Sequence, residues 1–128
     1  MHMLQPPYNA NFLNAGIMAA PAGVTKDGYE VQFGTNHVGH ALLLKFLTPL
    51  LVDTTIKCSS ASAVRLAVLS SSAHKYSLPG GIDLSTLKRS AEDISAVYRY
   101  GQSKLANGVY ARELSERYPQ FAKVSVSP

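Results

Sequence analysis

A tyrosine and a lysine four residues apart form a pair whose types and spacing could do proton chemistry. Tyr100 and Lys104 fall in a stretch with helical periodicity, so their side chains share one face about one turn apart. An ammonium group stabilises a neighbouring phenolate and brings a phenol into range for proton transfer near neutral pH. The pair therefore predicts a general acid/base, although the same spacing also describes an ordinary exposed helix pair.

Three consecutive serines, Ser70, Ser71 and Ser72, follow an apolar run at 64–69. Apart from Arg65, the odd and the even positions of that run are both apolar, which is typical of a strand covered on both faces in a parallel sheet. Ligands of such sheets bind beyond the carboxyl ends of the strands. A serine hydroxyl there could donate to a carbonyl oxygen that gains negative charge, but serines are also common in strand-ending turns.

Two histidines, His37 and His40, lie three residues apart on a predicted helix, a spacing that could hold a metal ion. The sequence places no carboxylate or cysteine close by to complete the ligand set. We therefore predict no metal site.

The apolar pattern predicts three strands separated by two long helices. The strands are expected at 12–13, 64–69 and 124–126, and the helices at 29–51 and 94–118. Pro49 should kink the last turn of the first helix or end it early. The order predicts a parallel α/β sheet with right-handed crossovers, which put both helices on one sheet face.

Composition limits the classes of protein and partner. The chain of 128 residues has room for one domain, and its 46% hydrophobic and 16% charged residues are typical of a globular protein. The net charge of +4 is scattered, so we expect no nucleic-acid binding. The longest apolar stretch, at 41–52, is too short and too interrupted for a transmembrane segment, and the first residues do not resemble a signal peptide. The single cysteine, Cys58, fits a reducing compartment, and we expect a cytoplasmic protein.

Four motifs together resemble the short-chain dehydrogenase/reductase family. They occur in the family's order across residues 12–127, and their wording is most similar to the retinol-dehydrogenase-like branch. The resemblance rests on Leu13-Asn14-Ala15-Gly16 at the end of the fourth strand, Asn36-His37-Val38-Gly39 in the next helix, Val68-Leu69-Ser70-Ser71 at the fifth strand, and Tyr100-Gly101-Gln102-Ser103-Lys104.

The resemblance implies an oxidoreductase that uses NADP or NAD and acts on a small alcohol or carbonyl. Tyr100 would be the general acid/base, assisted by Lys104, which would also bond the nicotinamide ribose. Ser71 would polarise the substrate carbonyl, with Ser70 and Ser72 as alternatives. Asn36 would hold a water molecule in a proton relay through Lys104, and Asn14 and Gly16 would border the cofactor.

The sequence departs from the family pattern in two places. None of its nine glycines forms the Gly-x-x-x-Gly-x-Gly turn that holds the cofactor's pyrophosphate. The stretch between Ser71 and Tyr100 is longer than in compact members; it contains Pro79-Gly80-Gly81 and could be a substrate-side loop or a surface loop.

We therefore expect a partial version of a three-layer Rossmann-type sheet, with strands 4-5-6 and two crossover helices. Residues 1–10 would be an irregular tail, and residues 11–128 the C-terminal part of the domain. The chain would be a truncated oxidoreductase that is inactive alone. The alternative is a non-catalytic interaction module docked on a full-length relative, since the family often forms homo-oligomers through the two long helices.

Overall fold

The described residues form a three-stranded parallel sheet. A computed structural model describes residues 9–58 and 64–126 of the chain, and all structural statements concern that part. Strands β1 (Asn9–Leu13), β2 (Val64–Leu69) and β3 (Ala122–Val126) lie in the order β1-β2-β3. Leu13 pairs with Val68, and Leu69 pairs with Val126. The predicted parallel α/β arrangement is confirmed.

Strand β1 begins earlier than the sequence predicts. Asn9 and Ala10 pair with Val64 and Arg65, so residues 9 and 10 belong to the strand rather than to an irregular tail. The polar character of this stretch concealed the strand, because ladder hydrogen bonds are made by the backbone whatever the side chains are. Residues 1–8 of the predicted tail lie outside the described part.

The first long helix is one helical run with an irregular turn inside it. It consists of α1 (Val31–Phe33), a π-helical segment (Gly34–Val38) and α2 (Gly39–Cys58). The prediction that it ends near residue 51 is wrong, because the helix continues through Pro49. Proline removes only one N–H donor from a helix, and Pro49 is exposed.

Helix α2 and the second long helix, α3 (Ala96–Arg117), pack on the same face of the sheet. The core between them is apolar, and each buried Leu or Val contributes roughly 1.5–3 kcal/mol. Its buried members are Leu13, Leu44, Leu51, Val64, Leu66, Val68, Ala111, Leu114 and Phe121. Phe12, which neighbours Leu13 and therefore points to the opposite face, is 72% exposed. The predicted placement of both helices on one face is confirmed.

The long stretch between β2 and α3 is partly a packed element of the fold. A 3₁₀ turn at Ser72–Tyr76 lies against α3, and a second one occupies Leu84–Thr86. Leu87 is buried and packs with Phe33 and Ala106. Pro79 and Gly80 form an exposed tip. Of the two alternatives for this stretch, a surface loop therefore describes only the tip.

Helix α3 begins directly after its N-cap residue, Ser95, and ends at Arg117, one residue before the predicted end at 118. The side chain of Ser95 accepts from the backbone N–H of Tyr98, which satisfies one of the donors left over at a helix start. Within the described residues, no helix combines the length and the apolar character that crossing a membrane requires.

Candidate active site

A small cleft lies beyond the carboxyl ends of β1 and β2 and brings together five of the six predicted site residues. Its volume is about 190 Å³. Its polar lining consists of Asn14, Gly16, Ser70, Ser71, Tyr100 and Lys104, and its apolar lining of Ile17, Met18 and Leu69. The position agrees with the rule that ligands of parallel sheets bind at this edge.

The hydrogen bonds of the three serines separate their roles. Ser70 is buried, and its Oγ donates to the carbonyl of Lys104 at 2.8 Å, so its proton is committed to the fold. The Oγ of Ser71 accepts from the backbone N–H of Ala73 at 3.2 Å, which leaves its own proton available to donate into the cleft. Ser72 is exposed and does not line the cleft. The geometry favours Ser71 over both alternatives.

Lys104 is held by the end of strand β2. Its Nζ donates to the carbonyl of Leu69 at 3.2 Å and lies 5.6 Å from the ring centroid of Tyr100. An ammonium has three donors, so the bond to Leu69 leaves further N–H groups for a ligand. Burial lowers the pKa of Lys104 from its ordinary value, because the charged form loses contact with water.

Asn36 lies behind the cleft and fastens the loop that follows β1. Its Oδ1 accepts from the N–H of Ile17 at 2.8 Å, and its Nδ2 donates to the carbonyl of Ile17 and to Oγ of Ser103, both at 2.9 Å. A Cβ added at Gly16 would lie 3.0 Å from this Oδ1, so the backbone approaches closely there. That Asn36 holds a relay water stays a prediction.

Both histidines of the first long helix are engaged by the fold. Nδ1 of His37 lies 3.0 Å from Oδ1 of Asn107, and Nδ1 of His40 lies 2.9 Å from the carbonyl of Asn36. Across residues 9–58 and 64–126, no group of three or more His, Cys, Asp or Glu side chains is arranged to hold a metal ion.

A buried ion pair next to Tyr100 was missed by the sequence reasoning. Nη1 of Arg99 lies 2.7 Å from Oε1 of Glu30, and the two side chains are 4% and 3% exposed. The other carboxylate oxygen of Glu30 accepts from the N–H of Phe33, and Nη2 of Arg99 donates to the carbonyl of Ala20. The pair joins the loop after β1 and the start of α1 to the residue preceding Tyr100. No signal in the sequence links two residues so far apart.

The lining of the cleft suits part of a ligand that carries oxygen acceptors. Lys104 and Ser71 offer donors for oxygen atoms, and the exposed Asn14 and Gly16 leave the cleft open at one side. Its volume of about 190 Å³ is below the roughly 300–1,000 Å³ usual for small-molecule sites, so it could enclose only part of such a ligand.

Comparison with known proteins finds relatives that share one description, that of short-chain or retinol dehydrogenases. No protein-family model matches the chain. It is 42% identical over 117 residues to a short-chain dehydrogenase/reductase of Phomopsis amygdali, and 38% identical over 113 residues to retinol dehydrogenase 14 of Homo sapiens. These alignments cover 91% and 88% of this chain but 34% and 30% of the relatives. The chain thus spans about a third of the length of the curated relatives it matches.

A solved structure is similar to the chain in both fold and sequence. The crystal structure of a putative uncharacterized protein from Mycobacterium paratuberculosis superposes with a TM-score of 0.72 at 33% identity. The match covers 98% of this chain and 43% of the other. The motifs, the parallel sheet and these relatives agree, and the chain belongs to the short-chain dehydrogenase/reductase family.

Proposed function

We propose that the cleft is the proton-transfer part of the active site of an NAD- or NADP-dependent oxidoreductase that interconverts alcohols and carbonyls. The observation that carries the proposal is the convergence of Ser71, Tyr100 and Lys104 on one cleft. We also propose that the sheet is part of a three-layer Rossmann-type fold, in which β1 to β3 are strands 4 to 6 and residues 9–128 form the C-terminal part.

The residues divide the chemistry between them. The hydroxyl of Tyr100 gives a proton to the carbonyl oxygen during reduction and takes it back during oxidation. The O–H of Ser71 donates to the same oxygen and stabilises its developing charge. The ammonium of Lys104 donates to the ribose and stabilises the phenolate, while Asn14 and Gly16 border the nucleotide. NAD(P), when bound, supplies or accepts the hydride.

The hydrogen bonds around the cleft support this division. The side-chain donors of Ser70 and Asn36 are hydrogen-bonded within the protein. The hydroxyl of Ser71 only accepts in the fold, and the Nζ of Lys104 donates a single bond there, so both can still donate to a ligand. The available donors therefore belong to Ser71 and Lys104, two of the residues to which the proposal gives roles toward a ligand.

A second candidate function is an interaction module that docks on a full-length relative or on a second copy. The observation that favours it is the exposed apolar surface of the long helices. Five large apolar side chains of these helices are about half exposed or more. They are Leu42, Leu43, Phe46 and Leu50 on α2 and Val109 on α3. Such a patch is typical of a protein–protein contact.

A chimera tests the catalytic proposal directly. Residues 9–126 replace the matching stretch of human retinol dehydrogenase 14, and turnover of the parent enzyme's substrate and NADPH affinity are measured. We expect a folded, active chimera in which Tyr100→Phe lowers kcat by about 10²–10⁴-fold and leaves cofactor affinity nearly unchanged. Lys104→Met should weaken both.

The matched control is Tyr98→Phe, because Tyr98 is an exposed tyrosine of the same helix that does not line the cleft. Full turnover in a folded Tyr100→Phe chimera would refute the catalytic proposal. If the interaction module is correct instead, Phe46→Lys should abolish association with a full-length relative, and Tyr100→Phe should leave it unchanged.

A further inference from the structure

A buried carboxamide on α3, that of Asn107, contacts the end of strand β2 and the π-helical segment. The side chain is 1% exposed and lies about one turn beyond Lys104. Its Nδ2 donates to the carbonyl of Leu69 at 2.9 Å and to the carbonyl of Asn36 at 3.1 Å. Its Oδ1 lies 3.0 Å from Nδ1 of His37. Both amide donors are therefore used.

These contacts fix the orientation of the amide and the tautomer of His37. Carbonyl oxygens only accept, so the amide nitrogen of Asn107 must face Leu69 and Asn36. The amide oxygen consequently faces His37, and Nδ1 of that ring must carry a proton. Burial, the largest cause, lowers the pKa of His37, so the ring is neutral with Nδ1–H near neutral pH.

The two carbonyls held by Asn107 belong to the elements that carry the site. Leu69 ends strand β2 immediately before Ser70 and Ser71, and its carbonyl also accepts from Nζ of Lys104. Asn36 lies in the π-helical segment, and its side chain clamps Ile17 at the edge of the cleft. One side chain thus connects the strand end, the lysine and the loop.

We propose that Asn107 is a positioning residue that sets the place of the Lys104 ammonium through the shared Leu69 carbonyl, with His37 fixing the orientation of its amide. This inference rests on the proposed function, because the positioned groups are those of the proposed proton-transfer site. Asn107 does not line the cleft and acts only through its neighbours.

The fold should tolerate the loss of Asn107 better than the site does. Without its amide, the carbonyl of Leu69 keeps Lys104 as a donor and the carbonyl of Asn36 keeps Nδ1 of His40. No buried carbonyl of this pair is then left without a partner. Lys104 would become the sole side-chain donor to Leu69 and would be drawn toward it, away from the place it now holds beside Tyr100.

Gln102 offers a matched control on the same helix. Its carboxamide is also buried and also has two partners, because Oε1 accepts from the N–H of Asp83 and Nε2 donates to Oγ1 of Thr86. Those contacts hold the 83–86 turn and not the cleft. Gln102→Leu therefore reports what a lost buried carboxamide does to the fold alone.

Nitrogen NMR of the purified chain tests the geometry without any turnover. Wild-type protein should show His37 protonated at Nδ1, Asn107→Leu should lose this preference, and Asn107→Asp should keep it because a carboxylate still accepts from the ring. The titration midpoint of Lys104 should rise in Asn107→Leu, since the Leu69 carbonyl is no longer shared, and stay unchanged in Gln102→Leu. A wild-type His37 protonated at Nε2, or an unmoved Lys104 midpoint in folded Asn107→Leu, would overturn the inference.

Turnover of the chimera described above adds a second readout. Asn107→Leu should lower kcat by roughly 10–100-fold, as expected when a reacting group is displaced by about 1 Å, while Gln102→Leu loses thermal stability but keeps kcat. Equal effects of the two variants on kcat would also overturn it. A folded chimera without oxidoreductase activity would refute the proposed function alone, because the His37 and Lys104 signals are read independently of catalysis. If Asn107→Leu does not fold, the wild-type tautomer of His37 and its retention in Asn107→Asp still decide the outcome.

Discussion

Gly101 allows a turn of the backbone to lie directly against the helix that carries Tyr100. A Cβ built at this position would lie 2.8 Å from the carbonyl carbon and oxygen of Tyr76 and 2.9 Å from the carbonyl oxygen of Ala73. These atoms are backbone and cannot rotate out of the way, so Gly101→Ala must push the Ser72–Tyr76 turn away from α3. The turn follows Ser71 directly, and the displacement should therefore move the Ser71 hydroxyl relative to Tyr100.

The size of the effect follows from the contact distances. Carbon atoms in ordinary contact are about 3.5 Å apart, so the turn must shift by roughly 0.7 Å. Overpacking of this kind costs about 1–3 kcal/mol, and replacing glycine by alanine inside a helix returns about 0.5–1 kcal/mol. The expected net loss of unfolding free energy is thus up to about 2 kcal/mol. A misplacement approaching 1 Å at a reacting group can lower turnover by about 100-fold.

Gly108 on the same helix supplies the control. A Cβ there would meet only Oγ of Ser70, at an ordinary 3.8 Å. Gly108→Ala should therefore raise the unfolding free energy by about 0.5–1 kcal/mol and leave turnover unchanged. Both variants are compared by urea unfolding and by kcat in the chimera. If Gly101→Ala gains stability as Gly108→Ala does and keeps full turnover, the argument from close approach is wrong.

Three further predictions concern stability and association. Arg99→Met leaves the carboxylate of Glu30 buried without its partner and should lower the unfolding free energy in urea by about 3–5 kcal/mol; a loss below about 1 kcal/mol would contradict this. Because burial lowers the pKa of His37, the imidazole binds a proton more readily in the unfolded chain than in the folded one, and the unfolding free energy should decline as pH falls below about 6.5. His37→Asn should make the unfolding free energy less dependent on pH. Equal pH dependence in the variant and the wild type would contradict this assignment. Phe12→Thr should reduce binding of an apolar dye and concentration-dependent association, because Phe12 is exposed on the uncovered sheet face; unchanged dye binding would argue against that face as the cause.

The main groups of the site could be predicted because their positions depend on short stretches of sequence. Helical spacing places Tyr100 and Lys104 on one face, and an apolar run that ends in serines marks the carboxyl end of a strand. A general rule of parallel sheets then brings the helix face and the strand end together. The structure has all three groups in the same cleft, as expected.

The supporting contacts could not be predicted, because they join residues that are distant in sequence. Arg99 and Glu30 are 69 residues apart, and Asn107 and Asn36 are 71 apart. The resemblance already pointed to Ser71, but the physical reason that sets Ser70 apart is a long-range contact, the bond from Ser70 to the carbonyl of Lys104.

The contacts between the end of β2 and α3 hold the proposed proton-transfer groups in fixed positions relative to one another. Ser70 donates to the carbonyl of Lys104, while Lys104 and Asn107 both donate to the carbonyl of Leu69, so three hydrogen bonds cross the same short gap. Because the bonds run in both directions between strand end and helix, the helix cannot slide or rotate without breaking at least one of them. The separation of Ser71 from the Tyr100–Lys104 pair is therefore set by the protein itself, before any ligand binds. Such preorganisation allows donors to stabilise a developing charge without reorienting during the reaction.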